Sequence, residues 1–364
     1  MKELNRSYKR IVVKIGSSIF CSDRQLCDRS RFQKISSQIS ELVGKNGKEV
    51  IIVSSGAIAL GMNLVHLKNR PKELPLLQAC AALGQNVLMD YYRAAFEETS
   101  IAMNKKLYCA QVLLTWEDFV DRKRYLNAKN TLGTLLKLGS IPIINENDTI
   151  STDEIKFGDN DRLSALVATL VNADLLIILS DVDGLLGRNK ELIKVVPEIS
   201  QEVKALACPT SKRTSVGGMI TKIEAAKIAV DSGIPCVIAN GRAENIIQSV
   251  AQIHTASGNW TLFLPKKCCL GARERWIAFG TKTKGRIMID EGAHKALLNN
   301  KSLLAVGVVS AEGDFNIGDI VSICDRAGVE FARGKAAFSS AKLDKAKGQR
   351  FDKEVIHCNN IVLL

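Results

Sequence analysis

Six short clusters in this 364-residue chain carry the residue types that phosphate chemistry requires. Lys14-Ile15-Gly16-Ser17-Ser18 and Ser54-Ser55-Gly56-Ala57 each follow an aliphatic run. Asn145-Glu146-Asn147-Asp148 follows another, with Gly158-Asp159-Asn160-Asp161 shortly after it. Ser180-Asp181 closes a fifth run, and Val216-Gly217-Gly218-Met219-Ile220-Thr221-Lys222 opens a stretch of helical spacing. Glycines let a phosphate approach the backbone, and a helix N-terminus offers unpaired N–H groups to anionic oxygens. Lysines and carboxylates beside them are the parts of a phosphoryl-transfer site. Taken singly, each cluster has a bland reading as well: Gly217-Gly218 as a turn, Lys14 as an edge-strand charge, Asp159 and Asp161 as a solvated loop or helix cap. Neither G-x-x-x-x-G-K-[ST] nor the H-R-D set of protein kinases occurs, which excludes the two commonest phosphoryl-transfer architectures.

The clusters need a scaffold. Aliphatic runs at 11–15, 50–54, 110–115, 141–145, 175–180 and 236–239 alternate with longer stretches of helical spacing. The runs are apolar on both faces, as parallel strands covered by helices on either side must be. This predicts an α/β sandwich over residues 1–265, with the polar clusters gathered at the carboxyl ends of its strands. Beyond it, RWIAFG, GRIMID, SLLAVGVVSAEGDF, DIVSICD and EFARGKAAF read as successive β segments with one helix near Glu291–Leu298. A small β-rich domain is expected over 274–364, after an interruption at 264–273.

Composition narrows the class. Apolar residues make up 46% and charged residues 24%, which excludes disordered and fibrous chains. No apolar run approaches the roughly 20 residues of a membrane span, and the N-terminus lacks a secretory layout, so the expected location is the cytoplasm and no membrane partner is expected. Ten Cys without a C-x-x-C pair read as reduced thiols, and four scattered His give little support to a His base or metal site. The net charge of +12 favours anionic partners, nucleotide or RNA. From Lys266 onward there are 17 basic and 11 acidic residues, so the charge is denser toward the C-terminus.

In order along the chain, VVKIGSS, IVSSGAIALG, the stretch around LLQACAALGQ, IPIINENDTI, IKFGDNDRLSA and GGMITK resemble the amino acid kinase superfamily and, within it, the glutamate 5-kinase family. The tail RWIAFGTKTKGRIMIDEGA with GDFNIGDIV resembles the PUA domain that many members carry. A shared fold explains the glycines but not NENDT and GDNDRLSA together. The resemblance implies a three-layer αβα sandwich with a mainly parallel sheet, followed by a PUA-like domain. It implies transfer of the ATP γ-phosphoryl group to the γ-carboxylate of L-glutamate, the first step of proline biosynthesis, with L-proline as feedback inhibitor and Mg2+ carried on the nucleotide phosphates.

The resemblance also assigns residues. Lys14 and Lys222 match the lysines that flank the transferring group, and Asp161 the carboxylate that holds them. Ser55, Asp148 and Asn160 match amino-acid contacts. Gly16, Ser180, Asp181 and the segment 216–222 (Val216, Gly217, Gly218, Met219, Ile220, Thr221 and Lys222) match the nucleotide side, with Gly16 and Gly217-Gly218 donating backbone N–H groups to phosphate. The loop 146–157 would sense proline through Asp148 and Glu154. A homo-oligomer and hand-over of product to the next enzyme are implied as well. The chain departs from the pattern at Ser180 and Val216, where Thr is usual, and in the short loop DVDGLLGRNKELI. The alternatives are another carboxylate kinase of the same fold (acetylglutamate kinase or aspartokinase), uridylate kinase, or RNA binding through the basic tail.

Overall fold

A computed structural model describes residues 8–20, 28–151, 160–207, 218–252, 258–266, 270–280, 283–346 and 354–364. The chain divides into two compact units, Met1–Cys269 and Leu270–Leu364.

In the first unit, β1 (Arg10–Ile15), α1 (Ser17–Phe20), α2 (Arg29–Gly44) and β2 (Glu49–Ser54) are followed by α3 (Ala57–Leu64) and α4 (Leu74–Met103). Then come β3 (Tyr108–Leu114), α5 (Glu117–Val120), α6 (Arg122–Lys137), β4 (Ser140–Glu146), α7 (Asn160–Leu170) and β5 (Leu175–Ser180). The unit closes with β6 (Val195–Val196), α8 (Gln201–Leu206), α9 (Met219–Asp231), β7 (Cys236–Asn240), α10 (Ile246–Ala251) and β8 (Trp260–Phe263).

Among the described residues these strands form one eight-stranded sheet, ordered β3-β4-β2-β1-β5-β7-β8-β6. All neighbours are parallel except β7 and β8. The expected α/β architecture is therefore present, with two short strands, β6 and β8, that periodicity did not reveal. β1, β2, β4, β5 and β7 are buried along nearly their whole length because Val, Ile and Leu fill both faces. β3 differs: it is an edge strand and is half exposed, with Tyr108 more than half open to solvent. β1 lies at the centre, and the chain proceeds to one side of it for β2 and to the other for β5. That makes the carboxyl ends of β1 and β5 the switch point where open α/β sheets bind ligands.

Two glycines set the approach of α4 to α3. A Cβ on Gly84 would stand 1.8 Å from the Ala57 carbonyl oxygen, and one on Gly61 would stand 1.8 Å from that of Cys80. The helices can touch backbone to backbone only because both positions lack side chains. This brings Gln85 and Tyr92 of α4 to the ends of β4 and β2, where Tyr92 Oη lies 2.9 Å from Ser54 Oγ.

In the second unit, α11 (Ala272–Phe279) precedes β9 (Gly285–Ile289), α12 (Glu291–Leu298), β10 (Leu303–Leu304), β11 (Val308–Glu312), β12 (Ile320–Cys324) and β13 (Glu330–Lys335). α13 (Ser340–Ala346), β14 (Glu354–Ile356) and β15 (Ile361–Leu363) complete it. The main sheet runs β11-β9-β12-β13-β15 and encloses Ile287, Ile289, Val321, Ile323 and Phe338. RWIAFG, expected as a strand, is helical. A short apolar run is compatible with either state, and here Glu274 accepts the Gly271 N–H at 2.6 Å to cap a helix. The single helix expected at Glu291–Leu298 is present, accompanied by α11 and α13.

Candidate active site

Lys14 sits on β1, the central strand, and not on an edge. Its neighbours on β2 and β5 are Val53 and Ile178, and its side chain is 8% exposed. Asp161 lies in the first turn of α7 and is buried. Its Oδ1 pairs with Lys14 Nζ, and its Oδ2 lies 3.3 Å from Lys222 Nζ in the first turn of α9. The Thr221 hydroxyl donates to the same Oδ2 at 2.9 Å. Burial alone would raise the Asp161 pKa, but the charges of Lys14 and Lys222, with hydrogen bonds from Lys14 and Thr221, hold it below the usual carboxylate range. The carboxylate is ionised, and two ammonium groups against one carboxylate leave a formal charge of +1. A charge of that sign, enclosed at a strand end, is a receptor for an anion.

Helix α9 adds donors. It starts at Gly218 without a side-chain cap, and a Cβ at Gly218 would meet nothing within 4 Å. The first-turn amides of a helix have no intrahelical partner, so an anionic oxygen at this end finds N–H groups as well as charge. Ser55 and Asn160 meet beside the ion cluster. Asn160 Nδ2 lies 2.8 Å from Ser55 Oγ, 3.2 Å from the Ser54 carbonyl and 3.0 Å from Asn145 Oδ1. Asp148, in the turn after β4, is half-buried, and its pKa is pushed up to about 6, chiefly by burial and partly offset by the charge of Arg70.

The amino acid kinase family model matches residues 9–240, and the PUA domain model matches residues 285–358. Glutamate 5-kinase from Thermoanaerobacter sp. (strain X514) is 44% identical, covering 98% of this chain and 98% of its own length. Glutamate 5-kinase from Geobacter sp. (strain M21) is 42% identical over the whole of both chains. The chain belongs to the glutamate 5-kinase family. Among solved structures, carbamate kinase from Giardia lamblia bound to AMP-PNP aligns with a TM-score of 0.51 at 17% identity, covering 71% of this chain and 99% of that one. That likeness shows the shared amino acid kinase fold.

Membership of the glutamate 5-kinase family gives the remaining positions a frame. Gly16 is adjacent to Lys14: a Cβ there would sit 3.7 Å from Lys14 Nζ and 3.3 Å from the Leu179 carbonyl oxygen. Its N–H, expected to meet phosphate, already donates to that Leu179 carbonyl at 3.1 Å. This hydrogen bond ties the loop after β1 to β5. Ser180 ends β5, where its Oγ lies 3.5 Å from the Val182 N–H, and Asp181 follows it, exposed. The short loop beyond folds back on itself: Gly187 N–H donates to the Glu191 carbonyl at 2.8 Å, and Leu186 bridges Leu192. Met219, Ile220 and Thr221 form the first turn of α9. Val216, Gly217, Asp159 and Glu154 lie outside the described residues.

The residues that motif reading missed are Gln85, Asn145, Thr221 as an Asp161 partner, and Arg70. Gln85 and Asn145 lay within quoted motifs, LLQACAALGQ and IINENDTI, but their pairing joins helix α4 to strand β4 and has no local signal. Arg70 lies between Lys68 and Lys72 in the α3–α4 connection, where nothing in the spacing marks it.

Proposed function

We propose that this chain catalyses the ATP-dependent phosphorylation of the γ-carboxylate of L-glutamate to γ-glutamyl phosphate, the first step of proline biosynthesis. The observation that carries the chemistry is the convergence of Lys14 and Lys222 on the buried Asp161. Full-length similarity to glutamate 5-kinases supports the choice of substrate.

A γ-carboxylate with a pKa near ~4.3 is already ionised at neutral pH, so the nucleophile needs no general base. The difficulty is bringing an anion to an anionic phosphate. Lys14, on the rigid central strand, and Lys222, at the start of α9, face the transferring phosphoryl group from two sides and neutralise its charge as it moves. Asp161 keeps the two ammonium groups together before substrate arrives, and Thr221 fixes the carboxylate. Asp148 receives the α-ammonium group, while Ser55 and Asn160 hold the amino acid. Ser180, Asp181 and 216–222 serve the nucleotide. Mg2+ is carried in on the ATP phosphates, bound mainly through them and water.

Proline inhibition belongs to the same reading, with L-proline competing near Asp148. Its expected signature is a weaker inhibition by proline in D148A or E154A; unchanged inhibition in both variants would place the sensor elsewhere. A homo-oligomer and transfer of the reactive acyl phosphate to the enzyme that reduces it are further parts of the proposal. The basic C-terminal unit gives a second reading, RNA binding, which a filter-binding titration over salt concentration tests through its slope.

The test of the function is ATP-dependent hydroxamate formation with hydroxylamine as trap, comparing L-glutamate, N-acetylglutamate and L-aspartate. Signal with free L-glutamate alone is expected. Signal with another acid would keep the lysine chemistry and move the substrate.

A further inference from the structure

Three amides form a relay from α4 to Asn160, and the backbone sets its direction. Asn145 Oδ1 accepts the Glu146 N–H at 2.9 Å, so Asn145 Nδ2 is turned to Gln85 Oε1, also at 2.9 Å. Asn160 Nδ2 faces the Ser54 carbonyl, a group that only accepts, and donates to Asn145 Oδ1 as well. Reversing any one of the three amides would set donor against donor or acceptor against acceptor. Both ends of the relay are buried and have no hydrogen-bond partner among the described residues: Gln85 Nε2, a donor, and Asn160 Oδ1, an acceptor. A buried acceptor without a partner is costly, and a ligand donor relieves that cost. The donor on L-glutamate is its α-ammonium group.

We infer that Gln85, acting through Asn145, is a positioning residue for the amino-acid substrate: it holds Asn160 with Oδ1 left to accept from the ammonium group. Gln85 itself does not touch the reacting atoms. The inference rests on the reading of this chain as a glutamate kinase and adds the residue that sets the polarity of its amino-acid site. Ser180, Asp181 and Thr221 make no hydrogen bond with the relay, so nucleotide affinity is independent of it.

The test is hydroxamate kinetics on the full-length chain as wild type, Q85M and Q85E, with glutarate as a competitive inhibitor that lacks the ammonium group. Met keeps the length of Gln without any hydrogen bond, whereas Glu keeps the acceptor that Asn145 requires. Q85M is expected to raise KM for L-glutamate about tenfold, with kcat and KM for ATP within about twofold of wild type. The Ki for glutarate stays unchanged in Q85M, and Q85E recovers most of the lost glutamate affinity. Equal loss in Q85M and Q85E, or a parallel loss of glutarate binding, overturns the relay. A Q85E weaker than Q85M also overturns it, since Gln85 Nε2 would then touch a substrate carboxylate directly. Thermal melting confirms that each variant folds, and Q85A gives the same comparison if Q85M does not. A wild-type chain that makes no hydroxamate from L-glutamate sinks the functional reading first, and that outcome is separate from any difference among the variants.

Discussion

Helix α9 has a lysine-aspartate-lysine cluster at each end, and the two have the same composition but different physics. At its start, Lys14 and Lys222 flank Asp161, with lysine side chains 8% and 9% exposed. At its end, Lys227 and Lys266 flank Asp231, each at 2.7 Å, with side chains 25% and 50% exposed. Both aspartates are buried. Water therefore screens the second pair of ammonium groups, and that cluster serves as a staple between α9 and the segment after β8. In the first cluster the surplus positive charge is far less exposed to solvent, so it is screened less and its field is stronger toward an incoming phosphate. On the proposed reading, burial of the cations, more than their number, separates a reactive cluster from a structural one.

The comparison breaks most visibly in K222A. Removing one buried ammonium group is expected to lower kcat about 10³-fold in the hydroxamate assay while the melting transition survives. Next in size is D161N against D231N. Asn at 161 leaves two enclosed ammonium groups facing each other and is expected to cost about 3–5 kcal/mol in denaturant unfolding. Asn at 231 lets its lysines turn to solvent, and a cost of about 1 kcal/mol is expected. Similar losses in the two variants would erase the distinction.

Asp148 sharpens the comparison as a carboxylate that burial and the charge of Arg70 act on in opposite directions. Its folded pKa, about 6, is raised from 3.8, so the native state binds the proton more readily and stability falls as pH rises through that window. On the proposed role of Asp148 as the receptor of the α-ammonium group, glutamate binding needs the ionised form, and KM for L-glutamate is expected to fall as pH rises through about 6. D148N is expected to remove this step, which a KM profile between about pH 5 and 8 reports. The Asp161 carboxylate behaves in the opposite sense. Held low, it contributes stability above the ordinary carboxylate value, lost only as pH falls through its depressed folded value. The smallest effect belongs to K266A, where a half-exposed partner of Asp231 is expected to cost no more than about 1 kcal/mol and to leave kcat unchanged.

Much of this site was legible in the sequence because its charged residues stand in glycine-bearing motifs at strand ends and helix starts, to which the resemblance to the glutamate 5-kinase family attached roles. Lys14, Asp161 and Lys222 each had a spacing or glycine signal, and the parallel sheet that brings them together followed from aliphatic runs. Other features were not legible, because they depend on elements meeting in space. The half-exposed edge strand β3 reads like its buried neighbours, since its position in the sheet is set by chain order and not by composition. RWIAFG carries a continuous apolar run that suits strand or helix, and a cap from Glu274 decided between them. The Gly16 N–H was expected to meet phosphate, but hydrogen bonding to Leu179 depends on β5 lying beside β1. The link from Gln85 to Asn145 needs Gly61 and Gly84 to let α3 and α4 touch, a condition seen only when the helices are packed.

One measurement addresses the central claim most directly: kcat for hydroxamate formation from L-glutamate in K222A and K266A, side by side with wild type. The expected result is a loss of about 10³-fold in K222A and turnover within about twofold of wild type in K266A. Near-normal turnover in K222A, or equal losses in the two variants, would contradict the assignment of catalysis to the buried cluster.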